Sequence, residues 1–415
     1  MVVALKESRA IHAAVAARPL TLALVGIAGY GDVYVRSLLA DGSRRSVRLV
    51  GAVDPFAANS SRLGELAARN VPVFASLDDL YKHCGAAPDL VVLASPIALH
   101  ADQTVRALER GSHVLCEKPL SATVAQARQM IEARDRAGRV VGIGYQWSFC
   151  EPIQHLKRDI RAGRFGAPRR LRTICLWPRD SQYYSRNRWV GRKHDQTTGD
   201  PIFDSPVNNA CAHFLHNMLY VLGNEIDRSA VPQTITAELY RANDIENYDT
   251  AAIRCMTRSG VELLFYVSHA TKHPVGPSLD YEFEHASIRC EGDNGSIVAH
   301  LADGTRVDYG VPATSVDISK LFRTAHAIQF GERIECGIEA SIAQTQVMCA
   351  AQRSPEEIVT FPEHAIGLAG VGAHQRRYVE GLGEGLQRCF VEGKLPSELG
   401  FEWSRPGRET LPVDC

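Results

Sequence analysis

The sequence has no long apolar run, no excess of one charge and no C-x-x-C pair. Because no stretch of about 18 uninterrupted apolar residues occurs, no transmembrane helix is expected. The 46 basic residues nearly balance the 47 acidic ones, which argues against nucleic acid and favours a small diffusing molecule as the partner. The eleven cysteines are scattered and odd in number, which is typical of a reducing compartment. A cytoplasmic protein without a disulfide framework is therefore expected.

The length and the N-terminal composition set the gross organisation. A chain of 415 residues is longer than one ordinary domain, so two domains are expected. Lys6, Glu7 and Arg9 interrupt the apolar residues at the start. Residues 1–19 are therefore interpreted as a short helical extension and not as a signal peptide.

Residues 20–147 alternate short apolar runs with amphipathic stretches. The runs are rich in Val, Ile and Leu, and they occur at 21–26, 47–54, 89–95, 113–116 and 139–145. Such strands, separated by helices, indicate a parallel sheet that is covered on both faces. The region is predicted to be a doubly wound α/β domain of the Rossmann, dinucleotide-binding type.

After residue 148 the pattern changes to extended segments joined by tight turns. An Asn-Gly and an Asp-Gly pair lie between alternating runs and are hairpin signals. Residues 148–400 are predicted to form an α+β domain with a large, mostly antiparallel open sheet and flanking helices. Its last helix is placed at 373–393, before a polar tail at 401–415.

A glycine-rich loop joins the first apolar run to the first amphipathic stretch. It reads G-x-G-x-x-G at Gly26, Ala28 and Gly31, with alanine where the backbone must approach a pyrophosphate closely. Gly29 supplies some of the missing freedom, and Tyr30 completes the loop. Backbone N–H groups and the helix dipole at such a turn favour phosphates, so the loop predicts a dinucleotide site.

Asp54 ends the second apolar run, 23 residues after Gly31. An acid near this position hydrogen-bonds the ribose hydroxyls of NAD, and its charge repels the 2′-phosphate of NADP. NAD is therefore the expected cofactor. The alternative is that Asp54 only starts the turn at Pro55.

The apolar run at 113–116 ends in Glu117, Lys118 and Pro119. Ligands of parallel sheets sit beyond the carboxyl ends of the strands. A carboxylate and an ammonium that leave a buried strand at that end are therefore expected to face the bound nucleotide. The alternative is a surface salt bridge at a helix start.

These motifs, with "ASPIALHAD" (94–102), "GIGYQW" (142–147) and "IRAGRFGAPRRLRT" (160–173), resemble the glucose–fructose oxidoreductase/inositol dehydrogenase/rhizopine-catabolism (Gfo/Idh/MocA) family of NAD(P)-dependent oxidoreductases. The resemblance covers most of residues 20–300, and the Glu-Lys-Pro element is its most specific part. It implies a Rossmann domain followed by a sheet domain whose open face joins homodimers or homotetramers. It also implies hydride transfer between NAD and a secondary carbinol of a sugar, cyclitol or related polyol.

The resemblance also assigns roles to individual residues. Glu117 is expected to bond the nicotinamide ribose, and Lys118 to point at the substrate hydroxyl, where it stabilises a developing alkoxide. His213 matches the histidine that accepts the carbinol proton in related sugar dehydrogenases. The remaining expected contacts are Ser95, His100 and Gln146 on the cofactor, and Trp147, Trp189, Asn209 and His216 on the substrate.

The second domain departs from the family pattern around His213. Asn209 stands where an aspartate is usual and His216 where a second acid is usual, and the spacing puts the three residues on one helical face. A buried structural histidine and an H-x-x-H metal pair are the alternatives. No metal is expected, because zinc needs a third ligand. Ser148 stands where an arginine is usually aimed at the substrate, so an acidic sugar is not expected.

The segment 177–195 is crowded with aromatic and basic residues. Its tryptophans and tyrosines are expected either to stack on the apolar face of a sugar, with Arg186 or Arg188 binding the hydroxyls, or to pack beneath the loop or at a subunit contact. Two other functions share this scaffold with the leading one. They are redox-neutral glycoside cleavage or epimerisation through a transient keto-sugar, and NAD binding by a non-catalytic regulator.

Overall fold

Two sheets organise the protein, and the predicted fold class is confirmed. The computed structural model describes residues 18–40, 46–314 and 316–412. One sheet has six strands and the other has nine. The extension predicted at 1–19 lies almost wholly outside the described residues.

The first sheet is parallel and has the strand order β3-β2-β1-β4-β5-β6. Its strands are β1 Leu20–Val25, β2 Val47–Val53, β3 Val73–Phe74, β4 Leu90–Leu93, β5 His113–Cys116 and β6 Val141–Ile143. The strand order reverses between β1 and β4, and such a switch point is where doubly wound sheets bind nucleotides. The Rossmann prediction for this region is therefore confirmed.

Helices cover both faces of the first sheet. They are α1 Gly31–Leu39, α2 Leu63–Ala68, α3 Leu77–His83, α4 His100–Glu109 and α5 Val124–Ala137. A capping box at Thr123 starts α5, and the left-handed Gly138 ends it. The short turn between β5 and α5 carries Glu117 and Lys118.

The second sheet has the strand order β14-β13-β12-β11-β7-β10-β9-β8-β15. Its strands are β7 Pro168–Leu176, β8 Pro232–Arg241, β9 Thr250–Thr257, β10 Glu262–Ser268, β11 Val275–Phe283, β12 Ala286–Glu291, β13 Ile297–Leu301, β14 Arg306–Gly310 and β15 Val359–Thr360. Neighbours are antiparallel except at β7–β10 and β8–β15. The mostly antiparallel sheet predicted after residue 148 is confirmed.

Helices of the second half lie on both sides of this sheet. They are α6 Glu151–Arg161, α7 Ser181–Ser185, α8 Ala212–Val221, α9 Ser319–Phe330, α10 Ile338–Arg353 and α11 Leu382–Glu392. Side chains of β10 alternate between the faces. Phe265 shares a core with Leu215 of α8 and Val347 of α10, whereas Tyr266 shares another with Leu386 of α11.

The predicted last helix at 373–393 is wrong in its first half. Residues Arg376–Val379 form strand β17, which pairs with β16, Ile366–Ala369, and only Leu382–Glu392 is helical. Gly381 has a positive φ of 71° and separates the two elements. The tail after residue 400 is not merely polar, because Trp403 packs against Tyr240.

Helix α9 belongs to the second half of the sequence but packs on the first sheet. Its Leu321 and Ala325, with Ile318 before it, share a buried cluster with Leu22 of β1 and Leu115 of β5. A boundary near residue 148 therefore describes the strands well but leaves out this helix. The contact brings Lys320 of α9 to the carboxyl edge of the first sheet.

Nine cysteines, most of them buried, are free thiols, and Cys349 is disulfide-bonded. The expectation of scattered thiols that serve as small apolar groups thus fits the nine and not Cys349. Among the residues that the structure describes, none of the helices is long and apolar enough to cross a bilayer.

Candidate active site

A crevice of about 830 Å³ opens along the carboxyl edge of the first sheet. It runs from the loops after β1, β2 and β4 to the turn after β5, and it reaches the second domain at residues 186–189 and 209. Its wall includes Gly26, Ala28, Gly29, Tyr30, Asp54, Phe56, Ser95, Glu117, Lys118, Arg186, Trp189 and Asn209. The crevice thus joins the predicted nucleotide loop to the predicted catalytic lysine.

The glycine loop has the backbone geometry that a nucleotide site requires. Gly26 has a φ of 83°, and a Cβ there would overlap the carbonyl of Ala94. A Cβ on Gly31 would overlap the carbonyl of Gly26, so the helix can start close to the strand only with glycine here. Gly29 has a φ of 56° and no neighbour within 4 Å of a Cβ position, which keeps the crevice side of the loop open.

Asp54 follows β2 and braces the glycine loop. One carboxylate oxygen accepts a hydrogen bond from Ile27 N at 3.1 Å, and the other accepts one from Phe56 N at 2.8 Å. Each oxygen has a second lone pair for a ligand. Asp54 therefore lies in the crevice wall, where a ribose-binding acid belongs, and also starts the turn.

Glu117 is held in a buried network at the end of β5. Its Oε1 accepts a hydrogen bond from Tyr34 Oη at 2.6 Å and lies 2.5 Å from Lys320 Nζ. Lys320 also donates to Gly144 O at 3.2 Å and to Tyr30 Oη at 3.1 Å. Burial alone would lower the pKa of Lys320, but the Glu117 carboxylate and then Tyr30 raise it above its ordinary value.

Lys118 crosses from the first domain to the second. Its Nζ donates to Asn209 O at 2.8 Å and lies 3.3 Å from Asn209 Oδ1. The peptide bond to Pro119 is cis. Burial lowers the pKa of Lys118 to about 8, since the Glu117 carboxylate only partly offsets it. The ammonium can thus release and take up a proton near neutral pH.

Asn209 links Lys118 to Asp204, a buried carboxyl group. Asn209 Nδ2 donates to Asp204 Oδ1 at 2.8 Å, and Gly191 N donates to Asp204 Oδ2 at 2.7 Å. Burial raises the pKa of Asp204 to about 6. Asn209 therefore lies beside Lys118 in the crevice wall. It precedes α8, so it does not share a helical face with His213 and His216 as the spacing predicted.

His213 lies in the first turn of α8, half-buried and edge-on to the Tyr145 ring, with ring centroids 5.7 Å apart. Its Nδ1 is buried and has no hydrogen-bond partner among the described residues. Burial, with a smaller contribution from the Lys118 charge, lowers its pKa well below the usual value. The imidazole is therefore neutral near Lys118, although it is not among the residues that line the crevice.

His216 does not reach the crevice, contrary to the substrate contact expected for it. It is fully buried, stacks on Tyr145 at 3.9 Å between ring centroids, and bonds Ser148 Oγ through Nε2 at 2.9 Å. Burial lowers its pKa to about 3. In residues 18–40, 46–314 and 316–412, no cluster of three metal-ligating side chains occurs.

Ser95 and His100 occupy different positions in the loop after β4. Ser95 lies in the crevice wall, as expected, and its Oγ bonds Gln103 Oε1 at 2.5 Å. His100 is buried, and its two ring nitrogens lie 2.8 Å from Pro119 O and 3.0 Å from Ser95 O. The expected contact of His100 with the cofactor is therefore replaced by a link between two loops that surround the crevice.

Gln146 and Trp147 also lie away from the crevice wall. Gln146 is buried, and its Oε1 has no hydrogen-bond partner among the described residues. Trp147 packs edge-on against Phe214 and donates from Nε1 to Ala313 O at 3.1 Å. Trp147, which is expected to contact the substrate, therefore does not line the crevice. Trp189 does line it.

Sequence reasoning missed two groups around Lys118, Asp204 and Lys320. An acid five residues before Asn209 is the signal that could have found Asp204. Arg186, which the sequence offers with Arg188 as a group that binds substrate hydroxyls, does line the crevice. Lys320 is about 200 residues from Glu117 in sequence, and no local motif marks the buried pair that they form.

Comparison with known proteins also indicates a nucleotide-binding oxidoreductase. Residues 20–145 match the model of the oxidoreductase family with an NAD-binding Rossmann fold, GFO_IDH_MocA. The rhizopine catabolism protein MocA of Rhizobium meliloti is 33% identical over 35% of this chain, and the chain spans only 43% of that protein's length. Inositol 2-dehydrogenase 1 of Saccharopolyspora erythraea is 25% identical over 76% of this chain and 85% of that enzyme.

Solved structures of other proteins have a similar fold. The WlbA dehydrogenase from Bordetella pertussis, solved with NADH and UDP-GlcNAcA, has a TM-score of 0.64 and 20% identity, over 80% of this chain and 94% of that one. The two-sheet architecture is thus similar to that of a solved dehydrogenase. Residues 20–145 of this chain belong to the Gfo/Idh/MocA family of oxidoreductases.

Proposed function

We propose that the protein transfers a hydride between NAD and a secondary carbinol of a sugar, cyclitol or related polyol. One observation carries the proposal. The Lys118 ammonium lies in the same crevice as the glycine loop, at the carboxyl edge of the parallel sheet, and is held by Asn209 of the second domain. The relative named as an inositol 2-dehydrogenase, aligned over most of the chain, agrees with a polyol substrate.

The crevice fits a dinucleotide. Gly26, Gly29 and the start of α1 would hold the pyrophosphate through backbone N–H groups, and Asp54 would accept hydrogen bonds from the adenosine ribose. The Asp54 charge favours NAD over NADP, since a 2′-phosphate would meet a carboxylate. Bound NAD supplies the group that accepts or returns the hydride.

Lys118 is the proposed proton-transfer group. In the oxidation direction the neutral amine takes the carbinol proton, because negative charge on the oxygen drives departure of the hydride from the carbon. In reduction the ammonium returns that proton and stabilises the alkoxide. A pKa of about 8 makes both forms available near neutral pH.

His213 is the second candidate for proton transfer. Its lowered pKa keeps the ring neutral, so it can accept a proton, although it is a weaker base than Lys118. Asn209 and Asp204 would position the lysine, since Asn209 bonds both groups. We assign Lys118 the principal role because it lines the crevice and His213 does not.

The test is Lys118→Met, assayed by the change in absorbance at 340 nm with NAD and a panel of inositols, aldoses and glycosides. We expect kcat to fall by at least about 10³-fold, because both the proton acceptor and the cation are lost. NAD binding, measured by fluorescence titration, should change little. His213→Gln should lower kcat less, by about 10–100-fold.

Lys272→Met is the matched control, because its exposed ammonium contacts only surface groups that are remote from the crevice lining, Glu380 and the Tyr378 ring, among the described residues. It should leave kcat unchanged. Undiminished turnover in Lys118→Met would exclude this mechanism. Turnover of a glycoside without net formation of NADH would instead indicate the redox-neutral reaction.

A further inference from the structure

Arg186 is a cation in the wall of the crevice that is not paired with an acid. It lines the same cavity as Lys118 and Asn209, and its side chain is exposed to solvent. Among the described residues, no carboxylate lies within 4.0 Å of its guanidinium. Most other cations near the crevice are neutralised; Arg106, for example, lies 2.9 Å from Asp102.

Aromatic rings hold Arg186 in place. Its guanidinium carbon lies 3.9 Å from the ring centroid of Tyr183 and 5.8 Å from that of Trp189. Contacts with ring faces orient a guanidinium while leaving its N–H donors free. The five donors of Arg186 are therefore available to a molecule in the crevice.

A second guanidinium shares the Tyr183 ring. The guanidinium carbon of Arg179 lies 5.0 Å from the Tyr183 centroid and 5.6 Å from that of Trp177. Its Nε is buried without a hydrogen-bond partner among the described residues. Unpaired buried donors cost stability unless a ligand or water satisfies them.

The carboxylates nearby do not neutralise these cations. Asp204 is bonded by Asn209 and Gly191, and its charge acts on Arg186 and Lys118 only from beyond 4.0 Å. Asp293 is likewise not within 4.0 Å of Arg179. Lys118 and Arg186 thus place two cations in the crevice wall, and Arg179 lies outside the wall against the same Tyr183 ring as Arg186. A low-dielectric wall focuses such a field and favours an anion there.

We propose that the substrate carries an anionic oxygen group, a carboxylate or a phosphate, besides the carbinol that reacts. Arg186 binds it directly, and Arg179 adds charge from behind the Tyr183 ring. The inference rests on the proposed function and specifies its substrate class. It replaces the sequence-based expectation that an acidic sugar is disfavoured, since Arg186 supplies from another loop the cation that is missing at Ser148.

The test compares neutral and anionic forms of the same ring. The NAD-loaded protein is titrated calorimetrically and assayed at 340 nm with glucose, glucuronate and glucose 6-phosphate, and with myo-inositol and myo-inositol 1-phosphate. We expect at least one anionic compound to bind about 10- to 100-fold more tightly than its neutral counterpart, as a charge-assisted bidentate contact would give. The carboxylate and phosphate arms identify which anion is used.

Arg186→Ala should abolish that preference by raising the KM of the anionic compound about 10- to 100-fold, while kcat changes much less. Arg186→Lys should restore part of it, because the charge remains but the planar fork is lost. Arg188→Ala is the matched control: this arginine lies in the same loop, is exposed and does not line the crevice, so its KM values should not change.

Equal or tighter binding of the neutral compound in every pair overturns the inference, and so does an anion preference that survives in Arg186→Ala. Failure of the proposed function has a different signature. Anion binding that depends on Arg186 but is never followed by hydride transfer would support the subsite and reject the oxidoreductase proposal. Turnover of neutral polyols alone would do the reverse.

Discussion

Two regions meet at Lys118: the carboxyl edge of the first sheet and residues 204–216 of the second domain. They differ in how completely their polar groups are paired. At the sheet edge, the buried Glu117 carboxylate is paired with Lys320 at 2.5 Å and bonded by Tyr34 at 2.6 Å. In the 204–216 segment an amide stands beside the lysine. There His213 and His216 each have a buried Nδ1 without a partner among the described residues.

This difference fits the proposed function, in which the two sides of the crevice serve different ligands. The side proposed for the cofactor is built from charges that neutralise one another. The side proposed for the substrate presents the uncharged Asn209 amide, while His213 and His216 do not line the crevice. Lys118 lies between the two walls, and its pKa of about 8 reflects burial that Glu117 only partly offsets.

The largest effect on stability is expected when the cation is removed from the sheet edge. Lys320→Met leaves the buried Glu117 carboxylate unpaired, and we expect the free energy of unfolding to fall by about 3–5 kcal/mol. Urea denaturation followed by circular dichroism measures the change. The exposed Lys82, which is 3.5 Å from Asp79, gives the control, and Lys82→Met should cost no more than about 0.5 kcal/mol.

A double variant separates charge balance from packing. Lys320→Met combined with Glu117→Gln should recover part of the lost stability, because no charge remains buried alone. A loss below about 1 kcal/mol in Lys320→Met alone would mean that the pair does not hold the sheet edge.

The preference for NAD or NADP tests whether Asp54 contributes to the cofactor side of the crevice. Asp54→Ala should raise the dissociation constant of NAD by about 10–100-fold, since charge-assisted hydrogen bonds to the ribose are lost. NADP binding should weaken less or improve, because a repulsive charge also disappears. Fluorescence titration with both cofactors measures this, and Asp135→Ala, on the exposed end of α5, serves as control. Equal weakening for NAD and NADP would contradict a role in discrimination.

The pH dependence of turnover tests the role of Lys118 in proton transfer. In oxidation the neutral amine is the active form, so kcat/KM should rise about tenfold per pH unit below pH 8 and level off above it. In reduction the ammonium is needed, so the rate should fall above that pH. Asn209→Asp places a carboxylate beside Nζ and should move the transition upward by about one unit or more.

Asn209→Ala removes the amide but keeps the backbone oxygen that Lys118 bonds. It should therefore shift the transition much less than Asn209→Asp does. Profiles that coincide for all three proteins would show that Lys118 does not set the pH dependence.

The smallest effect on catalysis is expected at His216. His216→Phe keeps an aromatic ring against Tyr145 and loses the bond to Ser148. We expect a loss of about 1–2 kcal/mol in the free energy of unfolding and a change in kcat below about threefold. A fall in kcat comparable to that of His213→Gln would indicate that His216 acts in the active site.

The parts of this protein that follow from local sequence were predicted well. The parallel sheet came from Val- and Leu-rich runs, the nucleotide loop from its glycines, and the strand-end turn from Glu117 and Lys118. In each case a short stretch fixes both the backbone and the neighbours. The Rossmann and antiparallel halves follow from the change of period after residue 148.

The expected site residues that do not line the crevice are those whose burial depends on distant residues. His216 shares the helix of His213, but its side of α8 faces Tyr145 and Ser148 in the core. Trp147 and Gln146 follow a strand end, yet neither lines the crevice. Spacing shows which residues share a face, but it does not show which element covers that face.

The return of α9 to the first sheet has a consequence for protein synthesis. The Glu117 carboxylate is made about 200 residues before its Lys320 counter-ion. While the ribosome translates the second half, the nascent nucleotide lobe must carry an unbalanced buried acid or stay partly open. A fragment that stops near residue 147 would never receive that cation, so only the longer chain can complete its own first lobe.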